Sequence, residues 1–102
     1  MSVVVVATIT PKPGEEDAVR EAVLAAIPQV HEEPGCELYA LHEGAGEFVM
    51  VERWESAEAL AVHSKAEALT RLGSALAGKV SGPPNVRTLT AVPGGDAAKG
   101  RL

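Results

Sequence analysis

The side chains best suited to chemistry lie in one segment, Glu52 to His63, which is typical of a strand that runs into a short helix. His63 is the leading candidate for a catalytic residue, because an imidazole titrates near neutral pH and can take or give a proton there. The alternative is structural: a histidine at a helix end can interact with the negative end of the dipole or bond a carbonyl. The residues alone leave both interpretations open.

Five further side chains are candidates to bind a substrate, and each has a structural alternative. Trp54 and Phe48 could form a flat wall against an aromatic ring, or could be ordinary core residues. Tyr39 could donate a hydrogen bond to a substrate oxygen, to a backbone carbonyl or to a second subunit. Glu52 is a carboxylate on an apolar strand face, so it should be paired, either orienting an imidazole or bridging a dimer. His42, beside a strand end, could line the mouth of a pocket.

Composition narrows the class of protein. The chain has 102 residues, enough for one domain, and 46% of them are hydrophobic, so it can form a core. A net charge of −5 with scattered basic residues argues against nucleic acid. The apolar run 3–7 is too short to span a membrane and lacks the basic flank of a secretory signal, so we expect a cytoplasmic location. The single cysteine, Cys36, and three dispersed histidines give no metal-ligand spacing, and no metal is expected.

The elements that must position these side chains follow from hydrophobic periodicity. Residues 2–10 predict a strand that is apolar on both faces, so one face needs a cover other than the helices, and a second subunit is the natural one. An apolar stripe at helical spacing predicts a helix that starts near Glu15 and ends before Pro34-Gly35. Ser56 is a candidate N-cap for a short helix, and a further helical segment spans 66–78. Residues 86–92 predict the last strand.

The two central strands, Cys36 to Glu43 and Glu47 to Trp54, predict a hairpin. A three-residue loop would place Glu37 opposite Arg53, a favourable pair. In that register Trp54, Glu52 and Phe48 share one face with His42, while Tyr39 lies on the other. The element order β-α-β-β-α-β predicts an α+β, ferredoxin-like fold with an antiparallel sheet over residues 1–92, followed by a flexible tail, 93–102.

Three motifs occur in a characteristic order: Lys12-Pro13-Gly14-Glu15, Glu33-Pro34-Gly35-Cys36-Glu37-Leu38-Tyr39, and Glu52-Arg53-Trp54 leading to His63. Together they resemble the antibiotic biosynthesis monooxygenase family over about residues 3–92. The resemblance implies a homodimeric α/β barrel, in which two ferredoxin-like sheets meet, and a pocket between sheet and helices. In this family the short helix commonly ends in histidine, and His63 matches that position.

The resemblance implies activities as well as a fold. Some members oxidise phenolic, anthrone or quinol substrates with O₂ and need no flavin, metal or haem, while others degrade haem. The haem-degrading branch resembles this chain but carries asparagine, tryptophan and an axial histidine where this chain has Ala7, His63 and Gly73. None of the three matches, so haem degradation is not expected.

Two functions from different classes remain. The leading one is a monooxygenase or quinol oxidase without cofactor, which uses O₂ as co-substrate on a small aromatic hydroxylated compound. In it His63 removes a proton, and the resulting electron-rich anion passes an electron to O₂. The other is a non-catalytic dimeric module that binds a small ligand, and the scarcity of aromatic residues favours it. A third hypothesis is that the chain is a haem-binding protein.

Overall fold

A four-stranded antiparallel sheet, covered on one face by three helices, forms the body of the computed structural model, which describes residues 2–102. The elements in chain order are β1 (Val3–Ile9), α1 (Glu16–His31), β2 (Cys36–Gly44), β3 (Glu47–Trp54), α2 (Ala57–Ser64), α3 (Glu67–Leu76) and β4 (Asn85–Leu89). The strands lie in the order β2-β3-β1-β4. The α+β, ferredoxin-like arrangement predicted from the sequence is confirmed.

The core lies between the sheet and the helices, and each element enters it as its periodicity predicts. Val5 and Ile9 of β1 are buried beneath the apolar stripe of α1, in which Val19, Val23 and Val30 are buried. α2 begins at the predicted cap, where the Ser56 hydroxyl accepts the Ala59 N–H at 3.1 Å. Two separate helical segments, α2 and α3, connect β3 to β4, as the sequence indicates.

The hairpin between β2 and β3 differs from the prediction by one residue. Its loop is only Ala45-Gly46, and Glu43 lies opposite Phe48 instead of Glu47. Both loop residues have positive φ, 53° and 76°, as a two-residue type I′ turn requires. Alanine is uncommon in that conformation, so the tight turn has only a weak signal in the residue types.

A one-residue change of register moves side chains to the opposite face of a strand. Tyr39 was predicted on the face opposite to Glu52, and this is wrong: Tyr39 lies directly across from Glu52 and is buried with Trp54 in the core. His42 was predicted on the face of Glu52, and it lies instead on the opposite face of the sheet, across from Val49. The shorter loop therefore brings the phenol of Tyr39 to the helix side of the sheet.

The predicted Glu37–Arg53 pair is present although the predicted register is not. A β-bulge between Cys36 and Leu38 leaves Glu37 as an extra residue, and Arg53 lies opposite Leu38. Arg53 Nε donates to Glu37 Oε1 at 3.1 Å, and the Ser2 hydroxyl donates to the same oxygen at 2.7 Å. These contacts hold the pKa of the Glu37 carboxyl below its usual value, with the Ser2 hydrogen bond the largest cause.

Within residues 2–102, no helix lies on the outer face of the sheet. It presents a row of half-buried apolar side chains, Val4, Val6, Val49 and Val51, with the more exposed Leu89 at its edge. This is the second apolar face that the sequence of β1 indicates, and the homodimer that would cover it stays a prediction.

The segment after β4 contains no helix or strand. It includes a turn at Asp96, whose carboxylate accepts the N–H groups of Ala98 and Lys99. That residues 93–102 form a flexible tail stays a prediction. Among the described residues, no helix has the length and apolar character needed to cross a membrane.

Candidate active site

A cavity of about 440 Å³ lies between the helix side of the sheet and the pair α2–α3. Its walls are mainly aliphatic. They are formed by Val5, Ala7, Ile9, Val23, Met50, Leu60, Leu69, Leu72, Leu76, Val80 and Val86. A volume of this size is in the range of sites for small organic ligands, which are typically apolar with a few placed polar groups.

The polar groups of the cavity are grouped around one histidine. His63 of α2, Glu52 of β3 and Tyr39 of β2 all line the cavity, together with Ser64. The Ser64 hydroxyl donates to the Leu60 carbonyl in the preceding turn, which leaves the first three as the principal chemical groups. The sequence singled out each of these three, and the fold brings them together.

His63 is held by a carboxylate that the sequence did not indicate. Its Nδ1 lies 2.8 Å from Oε1 of Glu33, and the two side chains are only 5% and 13% exposed. Glu33 follows α1, in the turn Glu33-Pro34-Gly35 that leads into β2. A short contact between buried groups of this kind fixes the orientation of an imidazole.

The turn reaches α2 because Gly35 lacks a side chain. Gly35 has φ +82°, and a Cβ atom there would lie 2.6 Å from Cβ of Ala59. The Gly35 carbonyl also accepts the N–H of Glu55 at 2.8 Å. This close packing of the turn on the start of α2 places Glu33 within reach of His63.

Trp54 packs against the site and does not line the cavity. Its indole is fully buried and stacks on the His63 ring, with centroids 4.3 Å apart and planes inclined by 29°. Its Nε1 donates to Glu52 Oε1 at 2.9 Å. That same Glu52 oxygen lies 4.0 Å from His63 Nε2, so the indole orders both groups. The Tyr39 ring meets His63 edge-on at 5.5 Å.

Burial sets the protonation behaviour of the groups around His63. The pKa of Glu52 is raised, chiefly because burial disfavours its charged form, and the negative charge of Glu33 adds to this. The Trp54 hydrogen bond and the nearby His63 oppose the rise in that pKa. Burial, with Glu52 and Glu33 nearby, also raises the pKa of Tyr39, so its hydroxyl stays protonated and remains a donor.

Cys36 lies at the edge of the same group. Partial burial raises the pKa of its thiol, and the charges of Glu33 and Glu52 raise it further. The Cys36 side chain packs against the core and is half-buried.

Three of the predicted substrate-binding residues lie outside the walls of this cavity. Trp54 is behind His63, as described above. Phe48 is buried under α1, where the Arg20 guanidinium lies 5.4 Å from the centre of its ring. His42 is exposed, with Nδ1 3.1 Å from the Ala40 carbonyl. Direct contact between substrate and these three side chains stays a prediction.

Within residues 2–102, no group of three or more His, Cys, Asp or Glu side chains is arranged to hold a metal ion. Glu33 lies near Nδ1 of His63, whereas Glu52 lies near Nε2. The three side chains therefore do not converge on a common point. The arrangement instead resembles a proton-transfer site, with one oriented imidazole between two carboxyl groups.

Known proteins share this architecture over nearly the whole chain. Rv0793 from Mycobacterium tuberculosis is 28% identical, with a TM-score of 0.85 over 94% of this chain and 100% of that chain. PA3566 from Pseudomonas aeruginosa is 26% identical, with a TM-score of 0.82 over 89% and 94%. A crystal structure described as an antibiotic biosynthesis monooxygenase is 29% identical, with a TM-score of 0.81 over 89% and 99%.

A search of curated proteins gives no match. Residues 2–72 match the sequence model of the family described as antibiotic biosynthesis monooxygenase. That region runs from β1 through α2 and into α3, and so contains Glu33, Tyr39, Glu52 and His63. Because the match covers more than half of the residues and the fold agrees with it, the chain belongs to the antibiotic biosynthesis monooxygenase family.

Proposed function

We propose that this protein is a cofactor-independent monooxygenase or quinol oxidase that acts with O₂ on a small aromatic hydroxylated compound. The observation that carries the proposal is the buried His63, held by a carboxylate at Nδ1 and placed at the polar end of an aliphatic cavity. Membership of the family supports oxygen chemistry at the level of class. The substrate and the use of O₂ are the proposed parts.

The walls of the cavity favour a neutral substrate. Neither Lys nor Arg is among the described residues that line it, whereas Glu52 is. An anionic substrate would meet no fixed positive charge and would lose its hydration on entry. A neutral aromatic ring with a hydroxyl group suits both the aliphatic walls and the donors and acceptors at the His63 end.

In the proposed reaction His63 removes a proton from the substrate. The proton passes from an O–H or an activated C–H to the imidazole, and the electron pair stays on the substrate as an anion. General-base assistance of this type typically contributes a factor of about 10²–10⁴ in rate. The stacked Trp54 indole stabilises the imidazolium that forms, through its negative ring face.

The anion then reacts with O₂ by transfer of one electron, and the two radicals combine or exchange a second electron. With an anthrone, one oxygen atom becomes the new carbonyl and the other leaves as water with the two hydrogens of the oxidised carbon. With a hydroquinone, O₂ takes two electrons and two protons and leaves as hydrogen peroxide. Both reactions balance without an external reductant, and the apolar walls protect the reactive anion from water.

The test is O₂ uptake by the purified protein with a panel of anthrones and hydroquinones, beside the His63→Ala variant. We expect uptake that depends on substrate and falls by about 10²-fold or more in the variant. Circular dichroism and the oligomeric state should be unchanged, which would show that the loss is chemical. Equal turnover in the variant would contradict the assignment of His63.

Haem degradation is not part of the proposed function. Ala7 and Gly73 both line the cavity at positions where haem-degrading relatives are expected to carry asparagine and histidine. Neither has a side chain that could bind iron. Haemin added to the protein should leave the Soret band of free haemin unchanged.

A non-catalytic binding module is the second candidate, and one observation favours it. Of the three aromatic residues, only Tyr39 lines the cavity, so a planar substrate finds few ring contacts. This candidate predicts that the same compounds bind without O₂ uptake. The fluorescence of Trp54, the only tryptophan, can report binding separately from turnover because the indole stacks on His63.

A further inference from the structure

The contact between Glu33 and His63 decides which nitrogen of the imidazole can act. A neutral imidazole carries its proton on either Nδ1 or Nε2, and the partner of one nitrogen sets the state of the other. Glu33 Oε1 lies 2.8 Å from Nδ1, and an ionised carboxylate can only accept a hydrogen bond. The proton of the neutral ring therefore belongs on Nδ1, which leaves a lone pair on Nε2.

The other nitrogen, Nε2, lies toward Glu52 at the cavity wall. His63 and Glu52 both line the cavity, and Nε2 lies 4.0 Å from Glu52 Oε1, whereas Glu33 is not a wall residue. Glu33 thus contacts the histidine from outside the cavity wall. It is placed to act through the imidazole and not on a compound in the cavity.

The second oxygen of Glu33 strengthens this assignment. Oε2 is buried and has no hydrogen-bond partner among the described residues. A buried carboxylate with a single hydrogen bond is poorly compensated, so its interaction with His63 gains most when the ring becomes an imidazolium. The titratable groups that face the ring from the packed elements are Glu33 of the turn, Glu52 of β3, and Tyr39 and Cys36 of β2.

We propose that Glu33 is a positioning residue that holds neutral His63 in the Nδ1–H tautomer, so that Nε2 accepts the substrate proton. The inference rests on the proposed function for its catalytic consequence but not for the tautomer itself. In the step, the substrate X–H bond breaks, its electron pair stays on X, and the proton bonds to Nε2. The Nδ1–H bond to Glu33 then becomes charge-assisted and stabilises the imidazolium.

The experiment combines kinetics with nitrogen NMR of the full chain, using Glu33→Gln and Glu33→Ala. Glu32→Gln is the matched control, because Glu32 is the exposed neighbour and undergoes the same chemical change. Loss of a group that orients a histidine typically costs about 10–100-fold in activity. We expect a fall of this size in kcat for Glu33→Gln with KM unchanged, and wild-type values for Glu32→Gln.

The tautomer is read from the ¹⁵N shifts of the His63 ring at a pH where the ring is neutral. The wild type should show a protonated Nδ1, and Glu33→Ala should lose that preference while keeping its circular dichroism spectrum. A wild-type ring protonated on Nε2, or a Glu33→Ala ring unchanged from wild type, would overturn the proposal. Tautomers as expected, in a protein without O₂ uptake, would uphold the role of Glu33 and count against the proposed function alone.

Discussion

At the scale of residues, the site consists of one imidazole between two carboxyl groups with different environments. Glu33 bonds the ring at Nδ1, whereas Glu52 accepts the Trp54 N–H and stands 4.0 Å from Nε2. Pairs of carboxyl groups in different surroundings commonly take different roles in one reaction. Glu52, whose pKa is raised by burial, retains its proton to higher pH than an exposed glutamate does.

Glu52 should make the stability of the protein fall as pH rises. Its pKa in the folded state is raised above the usual 4.5, so the folded state binds more protons than the unfolded state between these two values. The free energy of unfolding therefore decreases through that interval. In Glu52→Gln, which keeps an acceptor for Trp54, this contribution is absent, and the variant should gain stability relative to wild type from about pH 4 upward.

Urea unfolding across that pH range measures the difference. Glu21→Gln, on the exposed side of α1, is the matched control and should follow the wild-type profile. If the free energy of unfolding depended on pH in the same way in Glu52→Gln and in wild type, burial would not raise the pKa of Glu52.

The sequence predicted His63, Glu52 and Tyr39 but not Glu33. Their types and their places on strands and a short helix are local properties, visible in periodicity and turn chemistry. The bond between Glu33 and His63 joins residues 30 positions apart and depends on how a turn packs on a helix. The motif Glu33-Pro34-Gly35 was the only sequence feature that could have pointed to Glu33. Taken by itself, it indicates the end of a helix and not a contact with His63.

At the scale of elements, the turn before β2 and the helix α2 act as one unit. Gly35 approaches Ala59 of α2 so closely that no side chain fits, and its carbonyl accepts the Glu55 N–H. Glu33 is two residues before that contact. The distance between Glu33 and His63 therefore depends on the packing at Gly35.

Substitution of Gly35 should cost more than substitution of a comparable glycine. Gly35→Ala places a methyl group 2.6 Å from Ala59 Cβ, and Gly46→Ala, also at positive φ, meets nothing within 4 Å. Left-handed backbone alone costs an alanine about 1–2 kcal/mol. We expect that loss in Gly46→Ala and roughly 1–3 kcal/mol more in Gly35→Ala, because overpacking is added.

Chemical denaturation measures both variants, and activity should fall only in Gly35→Ala because only that change moves Glu33. Equal losses of stability would mean that the turn adjusts without displacing α2.

The register of the hairpin could not be predicted from local sequence patterns. Strand β3 was predicted with its observed limits, Glu47–Trp54, from alternation and flanking residues. Its register with β2 depends on a turn that holds Ala45 at φ 53° and on a bulge at Glu37. Neither leaves a distinct sequence signal, so the face of Tyr39 could not be assigned from the sequence.

At the scale of the whole molecule, the described helices cover only one face of the sheet. The other face carries Val4, Val6, Val49 and Val51, which are half-buried in the single chain, and part of the segment after β4 lies beside Val4. Stable homodimers typically bury about 800 Å² on each partner or more. We propose that a second copy of the chain covers this face, as the sequence of β1 and the family resemblance predict.

A charge on that face should separate the copies. Val51→Glu would place a carboxylate in the centre of the proposed interface, where desolvation without a partner is costly. Val62→Glu is the control, since Val62 of α2 is 60% exposed on the helix side. Light scattering after size exclusion should show a monomer for Val51→Glu and a dimer for wild type and Val62→Glu. A monomeric wild type would contradict the proposal.

Cys36 carries the only thiol of the chain, beside the two carboxyl groups that surround His63. Oxidants attack the thiolate far more readily than the thiol, and the raised pKa of Cys36 keeps the thiolate scarce at neutral pH. Hydrogen peroxide or superoxide released in the adjacent cavity would thus meet a sulfur in its less reactive form. In the proposed reaction, the partial burial of the thiol, together with the negative charges of Glu33 and Glu52, would therefore limit oxidative damage to the protein.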